Sequence, residues 1–242
     1  MTVAAQCWVL GFGVYAVMEL LFEQFPVLSA IGICRQVFTH RIPGIDVSHD
    51  KAEVLKRLEA AHRKIRNAIG IGDWPLFTAK QIHGNKIAVV ESCSHGPVGR
   101  KFPGCDGIIT NERGIALGVY VADCCAVYIV DPKTPAIGLV HSGRKGTELG
   151  VVTNAIRQMI DRFGSDPANM IVQLSPCVRP PHYEVDFATE IVRQCHAAGA
   201  KEIHDSEICT ACDLARYYSY RAEKGKTGRM LALLGFNPTI AN

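Results

Sequence analysis

The stretch IALGVYVADCCAVYIVDPKTPAIGLVHSGRKGT, residues 115–147, combines apolar segments with residues that carry chemistry. Its apolar segments predict strands at Ile115–Val121, Ala126–Val130 and Ala136–His141. Asp131-Pro132 predicts a tight turn between the second and third strands. Cys124 then lies between two strands and His141 at the end of the third, so we expect a thiol and an imidazole at strand edges.

Outside this stretch, helix and strand patterns mix without strict β-α-β alternation. Apolar periodicity predicts helices at Lys51–Ile69, with Ser48 as N-cap, at Gly146–Phe163 and at Phe187–Ala198. Further strands are predicted at Arg35–Thr39, Ile87–Val90, Gly107–Thr110, Met170–Leu174 and Arg216–Arg221. This order favours an α/β (α+β) fold, a layered single domain with mixed β-sheets flanked by helices.

The composition narrows the class of protein. A chain of 242 residues with 48% hydrophobic and 20% charged residues is typical of a packed globular protein. The net charge of +3 comes from scattered residues, without a basic stripe, so nucleic-acid binding is not expected. The 10 cysteines lack the spacing of a disulfide framework, and free thiols suit a reducing compartment. We therefore expect a cytoplasmic protein; its oligomeric state is open.

The N-terminal segment has an unusual composition. The run Cys7–Phe22 is almost entirely apolar, and Glu19 is its only charge. A secretory signal requires Lys or Arg before its apolar segment, but the first basic residue of this chain is Arg35. The apolar run is also short for a membrane span. We interpret residues 1–21 as an apolar extension, with translation naturally starting at Met18, and residues 22–242 as one domain. A weakly anchored helix is the alternative, although no stable membrane association is expected.

Two histidines and one cysteine are candidate ligands of a catalytic metal ion. His83 lies in Gln81-Ile-His-Gly84, just before the predicted strand Ile87–Val90. Together with Cys124 and His141 it can fill three positions around a tetrahedral Zn²⁺ and leave the fourth open. Spacing alone does not bring these residues together, so a surface histidine and a small buried cysteine remain the alternative.

Several further motifs carry weaker signals. Ser142-Gly-Arg-Lys-Gly-Thr147 is a glycine-containing turn before a helix, where Arg144 and Lys145 are candidates for binding an anion; an exposed turn is the alternative. Arg221 and Arg229 are similar candidates near the C-terminus. Cys209-Thr-Ala-Cys212 lacks a second pair, so we interpret it as holding a packed cysteine rather than a zinc site.

A series of short sequence blocks runs along most of the chain. They are Phe38-Thr-His-Arg41, Gln81-Ile-His-Gly84, Cys105-Asp-Gly-Ile-Ile-Thr110, Ala122-Asp-Cys124, His141-Ser-Gly-Arg-Lys-Gly-Thr147, Pro176-Cys177, Tyr183-Glu-Val185, Cys209-Thr210, Ser219-Tyr-Arg221 and Thr227-Gly-Arg229. In their composition and order, these blocks resemble the YfiH family, which is described as laccase-domain or multicopper polyphenol oxidase proteins. Members have also been assigned as purine nucleoside phosphorylases with adenosine deaminase activity.

The resemblance implies a layered fold and makes His83, Cys124 and His141 the metal ligands. We take Cys124, Asp123 and Arg41 as candidate catalytic residues. The candidate substrate or phosphate ligands are Arg144, Lys145, Arg221 and Gln81. The family usually has Trp-Arg where this chain has Arg144-Lys145. Because this difference lies outside the three metal ligands, we expect the metal site to be retained and the substrate specificity to change.

The resulting hypothesis is a zinc-dependent purine nucleoside phosphorylase with adenosine deaminase activity. Adenosine, inosine and methylthioadenosine are candidate substrates, with phosphate as the second substrate. A copper-binding, laccase-like polyphenol oxidase is one competing hypothesis, but the chain has 9 histidines and no His-x-His pair, which disfavours a multicopper site. A second is a cysteine hydrolase or amidase that edits peptidoglycan precursors, with Cys124 as nucleophile, and a third is a non-catalytic metal-binding protein.

Overall fold

The computed structural model describes residues 21–91 and 99–238. The predicted N-terminal extension, residues 1–21, lies outside these ranges apart from its last residue, and the assignment of residues 22–242 to one domain stays a prediction. The strands are β1 (Phe22–Glu23), β2 (Cys34–Thr39), β3 (Leu76–Lys80), β4 (Ile87–Val90), β5 (Lys101–Pro103), β6 (Gly107–Thr110), β7 (Ile115–Val121), β8 (Cys125–Asp131), β9 (Ala136–Ser142), β10 (Ile171–Leu174), β11 (Glu202–Asp205) and β12 (Met230–Phe236). The helices are α1 (Pro26–Ile31), α2 (Lys51–Ala68), α3 (Arg144–Glu148), α4 (Val151–Phe163) and α5 (Phe187–Ala197), with short 3-10 turns at Pro167–Asn169 and Thr210–Cys212.

The strands form two mixed sheets. The first has the order β1-β2-β12-β7-β3-β5, in which β12 is antiparallel to β2 and β7 while β3 is parallel to β7 and β5. The second has the order β11-β10-β8-β9-β6-β4, with the antiparallel hairpin β8-β9 at its centre. This mixture of sheets and helices confirms the predicted α/β (α+β) fold class.

Two hydrophobic cores hold the layers together. The first contains side chains from both sheets, such as Leu117, Leu233 and Leu139, and the Tyr128 hydroxyl of the second sheet donates a hydrogen bond of 2.7 Å to the Val37 carbonyl of the first. The second core lies between the second sheet and helices α4 and α5. Every residue of β8 and β9 is buried, because both faces of these strands are covered, and this explains their continuous apolar sequence.

Two helix predictions need correction. Helix α2 is capped by Asp50, whose side chain accepts hydrogen bonds from the backbone of Ala52 and Glu53; the predicted cap Ser48 instead bonds Asp46. The predicted helix Gly146–Phe163 is two helices, α3 and α4, because Gly150 adopts a left-handed conformation with φ 68°.

The predicted strand Arg216–Arg221 was wrong, because this segment forms turns. The consecutive side chains of Tyr217 and Tyr218 are both buried, and their hydroxyls donate hydrogen bonds to Glu23 and to the Ile42 carbonyl respectively. In a strand at the surface, successive side chains point to opposite faces, so only one of the two would be buried. The last strand is instead the fully buried β12, which is absent from the predicted strands. No helix in the described part of the chain is long and apolar enough to cross a membrane.

Candidate metal centre

The structure brings the three predicted metal ligands together. His83 lies in the loop after β3, Cys124 in the turn that carries the chain from β7 in the first sheet to β8 in the second, and His141 near the end of β9. One ligand atom from each residue lies within 4.8 Å of the others, and the two imidazole centroids are 4.9 Å apart. This group, called the first cluster below, therefore offers two nitrogens and one sulfur to a common point.

Asp106 holds both histidines of the first cluster and was not identified from the sequence. Its Oδ1 accepts hydrogen bonds from the His83 backbone N–H at 2.8 Å and from Nδ1 of His141 at 3.0 Å. Its Oδ2 accepts from the backbone N–H groups of Ile82 and Gly84, at 3.2 and 2.7 Å. Because Nδ1 of His141 is engaged, its Nε2 is the nitrogen left to bind a metal.

This carboxylate also stabilises an uncommon backbone conformation. His83 has φ 60°, in the left-handed region that residues other than glycine seldom adopt. Three consecutive backbone N–H groups around it converge on the buried Asp106. The only sequence signal for this role was the Cys105-Asp-Gly block, because the partners of Asp106 are distant in the chain.

The charges within the first cluster favour a thiolate. Burial raises the pKa of the Cys124 thiol, but the neighbouring His141 and His83 outweigh burial and lower it from 9.0 to about 6. Burial lowers the pKa of His141, whereas Cys124 and Asp106 raise it to about 9. These shifts favour a thiolate at Cys124 beside a protonated His141, and the thiolate is the form of cysteine that binds metals and acts as a nucleophile.

Gly143 leaves the space that the Cys124 sulfur occupies. A Cβ at this position would lie 2.5 Å from the Cys124 Sγ, far inside van der Waals contact, and 3.8 Å from the His83 ring. Its φ of −105° is accessible to any residue, so space rather than backbone conformation requires glycine here.

Asp123 connects the β7-β8 turn to the C-terminal loops. It has φ 81° and is buried; its Oδ1 accepts a hydrogen bond of 2.7 Å from the Thr210 hydroxyl, and its Oδ2 accepts one of 2.6 Å from the Arg221 backbone N–H. Its carbonyl accepts a hydrogen bond from the backbone of Val178. The candidate catalytic Asp123 is therefore held in place beside the first cluster.

A cavity of about 970 Å³ opens onto the first cluster. Its lining includes the aromatic residues Tyr120, Tyr183, Phe187 and Tyr220, the basic residues Lys51, Arg144, Lys145, Arg221, Lys224 and Arg229, and the acidic residues Asp123 and Glu148. Basic side chains thus outnumber acidic ones around a partly aromatic wall. Such a surface is suited to an anionic ligand that carries a planar ring.

The predicted anion-binding residues reach this cavity, although some already have partners. Arg144 pairs with Glu148 at 2.9 Å, and the Arg221 guanidinium bonds Glu184. Lys145 also lines the cavity. Gln81 lines it too, but its amide bonds both backbone groups of Tyr120, at 2.7 and 3.1 Å, and so joins the end of β3 to β7.

Arg41 does not line this cavity, in contrast to the other candidates. Its guanidinium pairs with Glu223 at 2.8 Å, donates to the Tyr217 carbonyl, and lies 4.4 Å from the centroid of the Tyr218 ring. These contacts fix Arg41 under the C-terminal loops, where it anchors the chain.

Arg229, already a candidate anion ligand, lines the cavity together with Lys51, which was not predicted. Lys51 begins helix α2, and burial and the nearby Arg229 and Lys101 lower its pKa. Burial also lowers the pKa of Arg229, whose Nη1 donates to the carbonyls of Thr227 and Gly228. The Thr227-Gly-Arg229 block was a signal for the arginine; nothing in the local sequence marked Lys51.

Comparison with known proteins identifies the family. The family model described as multi-copper polyphenol oxidoreductase laccase matches residues 30–194 and 185–237. A Geobacillus stearothermophilus protein named purine nucleoside phosphorylase YlmD is 28% identical over 234 residues, which cover 79% of this chain and 82% of that protein. A protein of Streptomyces coelicolor, also named a purine nucleoside phosphorylase, is 30% identical over 190 residues, covering 67% and 76% respectively.

The fold agrees with this assignment. The crystal structure of YlmD from Geobacillus stearothermophilus superposes with a TM-score of 0.75 and 24% sequence identity, over 90% of this chain and 99% of that one. A Bacillus licheniformis protein called YfiH gives a TM-score of 0.70 at 22% identity, over 84% and 93%. The predicted resemblance is confirmed, and the chain belongs to the multi-copper polyphenol oxidoreductase laccase family, together with YfiH and YlmD.

Proposed function

We propose that this protein is a zinc-dependent purine nucleoside phosphorylase that also deaminates adenosine. The observation that carries the proposal is that one cavity joins the first cluster to basic and aromatic walls. Relatives that carry the name purine nucleoside phosphorylase support it, because they cover most of this chain. Adenosine, inosine and methylthioadenosine are the substrates that we propose, with phosphate as the acceptor.

The donor set of the first cluster fits zinc. Two imidazoles and one thiolate with an open fourth position are typical of catalytic zinc, and Asp106 orients His141 as such ligands require. When bound, zinc would supply a Lewis acid that polarises a substrate oxygen. Copper also accepts these donors. The groups of possible ligands found in residues 21–91 and 99–238 have only three members each, fewer than a multicopper oxidase needs.

The cavity residues account for binding of both substrates. We assign phosphate to the basic side chains, of which Arg229 is the most buried, and the purine to the aromatic faces of Tyr183 and Tyr220. In phosphorolysis, a phosphate oxygen forms a bond to C1′ of the ribose while the bond from C1′ to the purine nitrogen breaks. The base leaves with that electron pair, and ribose 1-phosphate forms. The protein contributes by positioning the reactants and by stabilising their charges.

Deamination requires a group that moves a proton to the departing amine while water adds to the purine ring. Asp123 is the buried carboxylate of the cavity wall, and we assign this step to it. The hydrogen bonds from Thr210 and Arg221 fix its orientation.

The decisive experiment measures inosine and adenosine turnover with and without phosphate. We expect hypoxanthine from inosine only when phosphate is present, and inosine from adenosine without it. Cys124→Ser should abolish both activities, whereas Cys195→Ala, which removes a thiol buried in α5 away from the cavity, should retain them. Absence of purine release from both nucleosides in a zinc-loaded protein would contradict the proposal.

The geometry favours one other candidate, a metal-independent cysteine hydrolase. Cys124, His141 and Asp106 form a chain in which the carboxylate orients the imidazole and the imidazole lies beside a thiol of lowered pKa. Amide hydrolysis that survives removal of metal by a chelator but is lost on alkylation of Cys124 would favour this candidate. Loss of activity on chelation and its recovery with zinc would favour the phosphorylase.

A further inference from the structure

A second group of metal-binding side chains lies outside the cavity lining. His182, Cys209 and Cys212 each offer one ligand atom within 4.8 Å of the others, and none of them lines the cavity described above. We call this group the second cluster. Neither cysteine is fully buried, since Cys209 is partly buried and Cys212 is exposed. Cys209 packs against the second hydrophobic core, which confirms the prediction that one cysteine of the C-x-x-C motif is packed.

The backbone brings both thiols to the same side of a turn. Cys209 precedes the 3-10 turn Thr210–Cys212, and the Cys212 N–H donates to the Cys209 carbonyl at 3.1 Å. This spacing is the one by which C-x-x-C motifs present two sulfurs to one ion.

The histidine comes from a neighbouring segment that is fixed to the same turn. The Cys177 N–H donates to the Ile208 carbonyl, and the Thr210 N–H donates to the Cys177 carbonyl, both at 3.1 Å. His182 follows a few residues later, next to Tyr183, whose N–H donates to the Arg179 carbonyl. Two loops thus place an imidazole opposite the pair of thiols.

The distances agree with those of ligands around one zinc ion. Zn–S and Zn–N bonds of about 2.3 and 2.0–2.1 Å at tetrahedral angles separate sulfur from nitrogen by about 3.6 Å. Nδ1 of His182 lies 3.4 Å from the Cys212 Sγ and 3.8 Å from the Cys209 Sγ.

We propose that His182, Cys209 and Cys212 form a second zinc site, in which two thiolates and one imidazole bind the ion and water completes the tetrahedron. Both thiols lose their protons on binding. Soft thiolate donors with imidazole select zinc over calcium and magnesium, which prefer oxygen. The site does not depend on the reaction assigned to the cavity.

The position of the second cluster indicates a structural role. Thr210 lies between the two cysteines and its hydroxyl holds Asp123, which is adjacent to Cys124 of the first cluster. Tyr183, next to His182, lines the cavity. Zinc at the second cluster would therefore fix the two loops that form one wall of the substrate cavity.

Zinc stoichiometry tests this proposal in the full chain. The protein is reduced, stripped of metal, loaded with zinc, freed of excess metal and measured by elemental analysis. We expect about two zinc ions per chain for the unmodified protein and about one for Cys212→Ser. His182→Asn, which changes an exposed side chain, should lose the same ion, and the control Cys195→Ala should lose none.

Cobalt identifies which cluster binds the ion. In Cys124→Ser, which disables the first cluster, added Co²⁺ should give a thiolate charge-transfer band with the intensity of two sulfur ligands, and zinc should slow alkylation of Cys212. Unchanged zinc content in both Cys212→Ser and His182→Asn would overturn the proposal. So would a reduced protein in which zinc leaves the alkylation rate of Cys212 unchanged.

Discussion

Replacing Asp106 by asparagine tests whether the first cluster depends on one carboxylate. Each oxygen of Asp106 accepts two hydrogen bonds, Oδ1 from the His83 N–H and His141 Nδ1, and Oδ2 from the N–H groups of Ile82 and Gly84. An asparagine has a single acceptor oxygen, so either orientation of its amide places an NH2 group against two donors. Asp106→Asn should therefore disturb the histidine loop or the imidazole, whichever way the amide turns.

The expected magnitude follows from these contacts. Two buried donors that lose their acceptor cost about 1–3 kcal/mol each, so the free energy of unfolding should fall by about 2–6 kcal/mol. Loss of a group that orients a metal ligand typically lowers metal affinity by about 10- to 100-fold, which corresponds to about 1.4–2.8 kcal/mol. We expect a zinc affinity lower by that factor, measured by competition with a chromogenic chelator on protein shown to be folded by circular dichroism.

Asp131→Asn is the matched control for this substitution. Asp131 is also fully buried, and its Oδ1 accepts from the backbone N–H groups of Lys133 and Thr134 in the β8-β9 turn. Its Oδ2 has no hydrogen-bond partner among the described residues, so an asparagine amide fits without opposing a donor. The control should keep the zinc affinity. A folded Asp106→Asn protein that binds zinc within about 2-fold of the unmodified protein would refute the role given to Asp106.

Three further results are expected. Gly143→Ala should lower zinc affinity in the same titration, because its Cβ would lie 2.5 Å from the Cys124 Sγ; unchanged affinity would show that the loop relaxes freely. Burial lowers the pKa of His62 from 6.5 to about 4, so the contribution of His62 to stability should be constant above pH 6.5 and fall by about 3 kcal/mol as pH drops from 6.5 to about 4. Urea unfolding of His62→Phe should therefore show a flatter pH profile than the unmodified protein between pH 6.5 and about 4. Arg229→Gln should raise the KM for phosphate by about 10-fold or more and raise the KM for inosine by less. The control Arg193→Gln changes an exposed residue outside the cavity lining and should change neither KM. Equal effects of the two substitutions would contradict the assignment of phosphate to Arg229.

The sequence predicted those elements whose local pattern matches their burial. Strands β7, β8 and β9 are covered on both faces, so their apolar runs identify them directly. Strand β11, Glu202–Asp205, lies at the edge of the second sheet without a buried residue, and no apolar pattern marks it. The aromatic run at Tyr217 and Tyr218 resembles a strand, but its burial comes from side-chain contacts with Glu23 and Ile42, which are distant in sequence.

The site shows the same limit on a smaller scale. Motifs and family resemblance identified residues that carry a reactive group, such as Cys124 and His141, because the residue type itself indicates the chemistry. They did not identify Asp106 or Lys51, whose importance comes from the groups they face across the fold. An aspartate that precedes a glycine is a common feature of protein sequences, and so is a lysine at the start of a helix. Only the tertiary arrangement therefore distinguishes Asp106 and Lys51 from ordinary surface residues.

The turn between β7 and β8 explains why the positions of the two clusters are linked. It passes from the first sheet to the second, and its residues face both ways: Cys124 joins the first cluster, while Asp123 holds Thr210 in the C-x-x-C turn. The left-handed backbone of Asp123 is stabilised by two hydrogen bonds to its carboxylate, one from each of two C-terminal segments. A displacement of the C-x-x-C turn would therefore be transmitted through Thr210 to the residue that precedes the candidate metal ligand Cys124. The two clusters lie in separate sites, but a single buried carboxylate couples their positions.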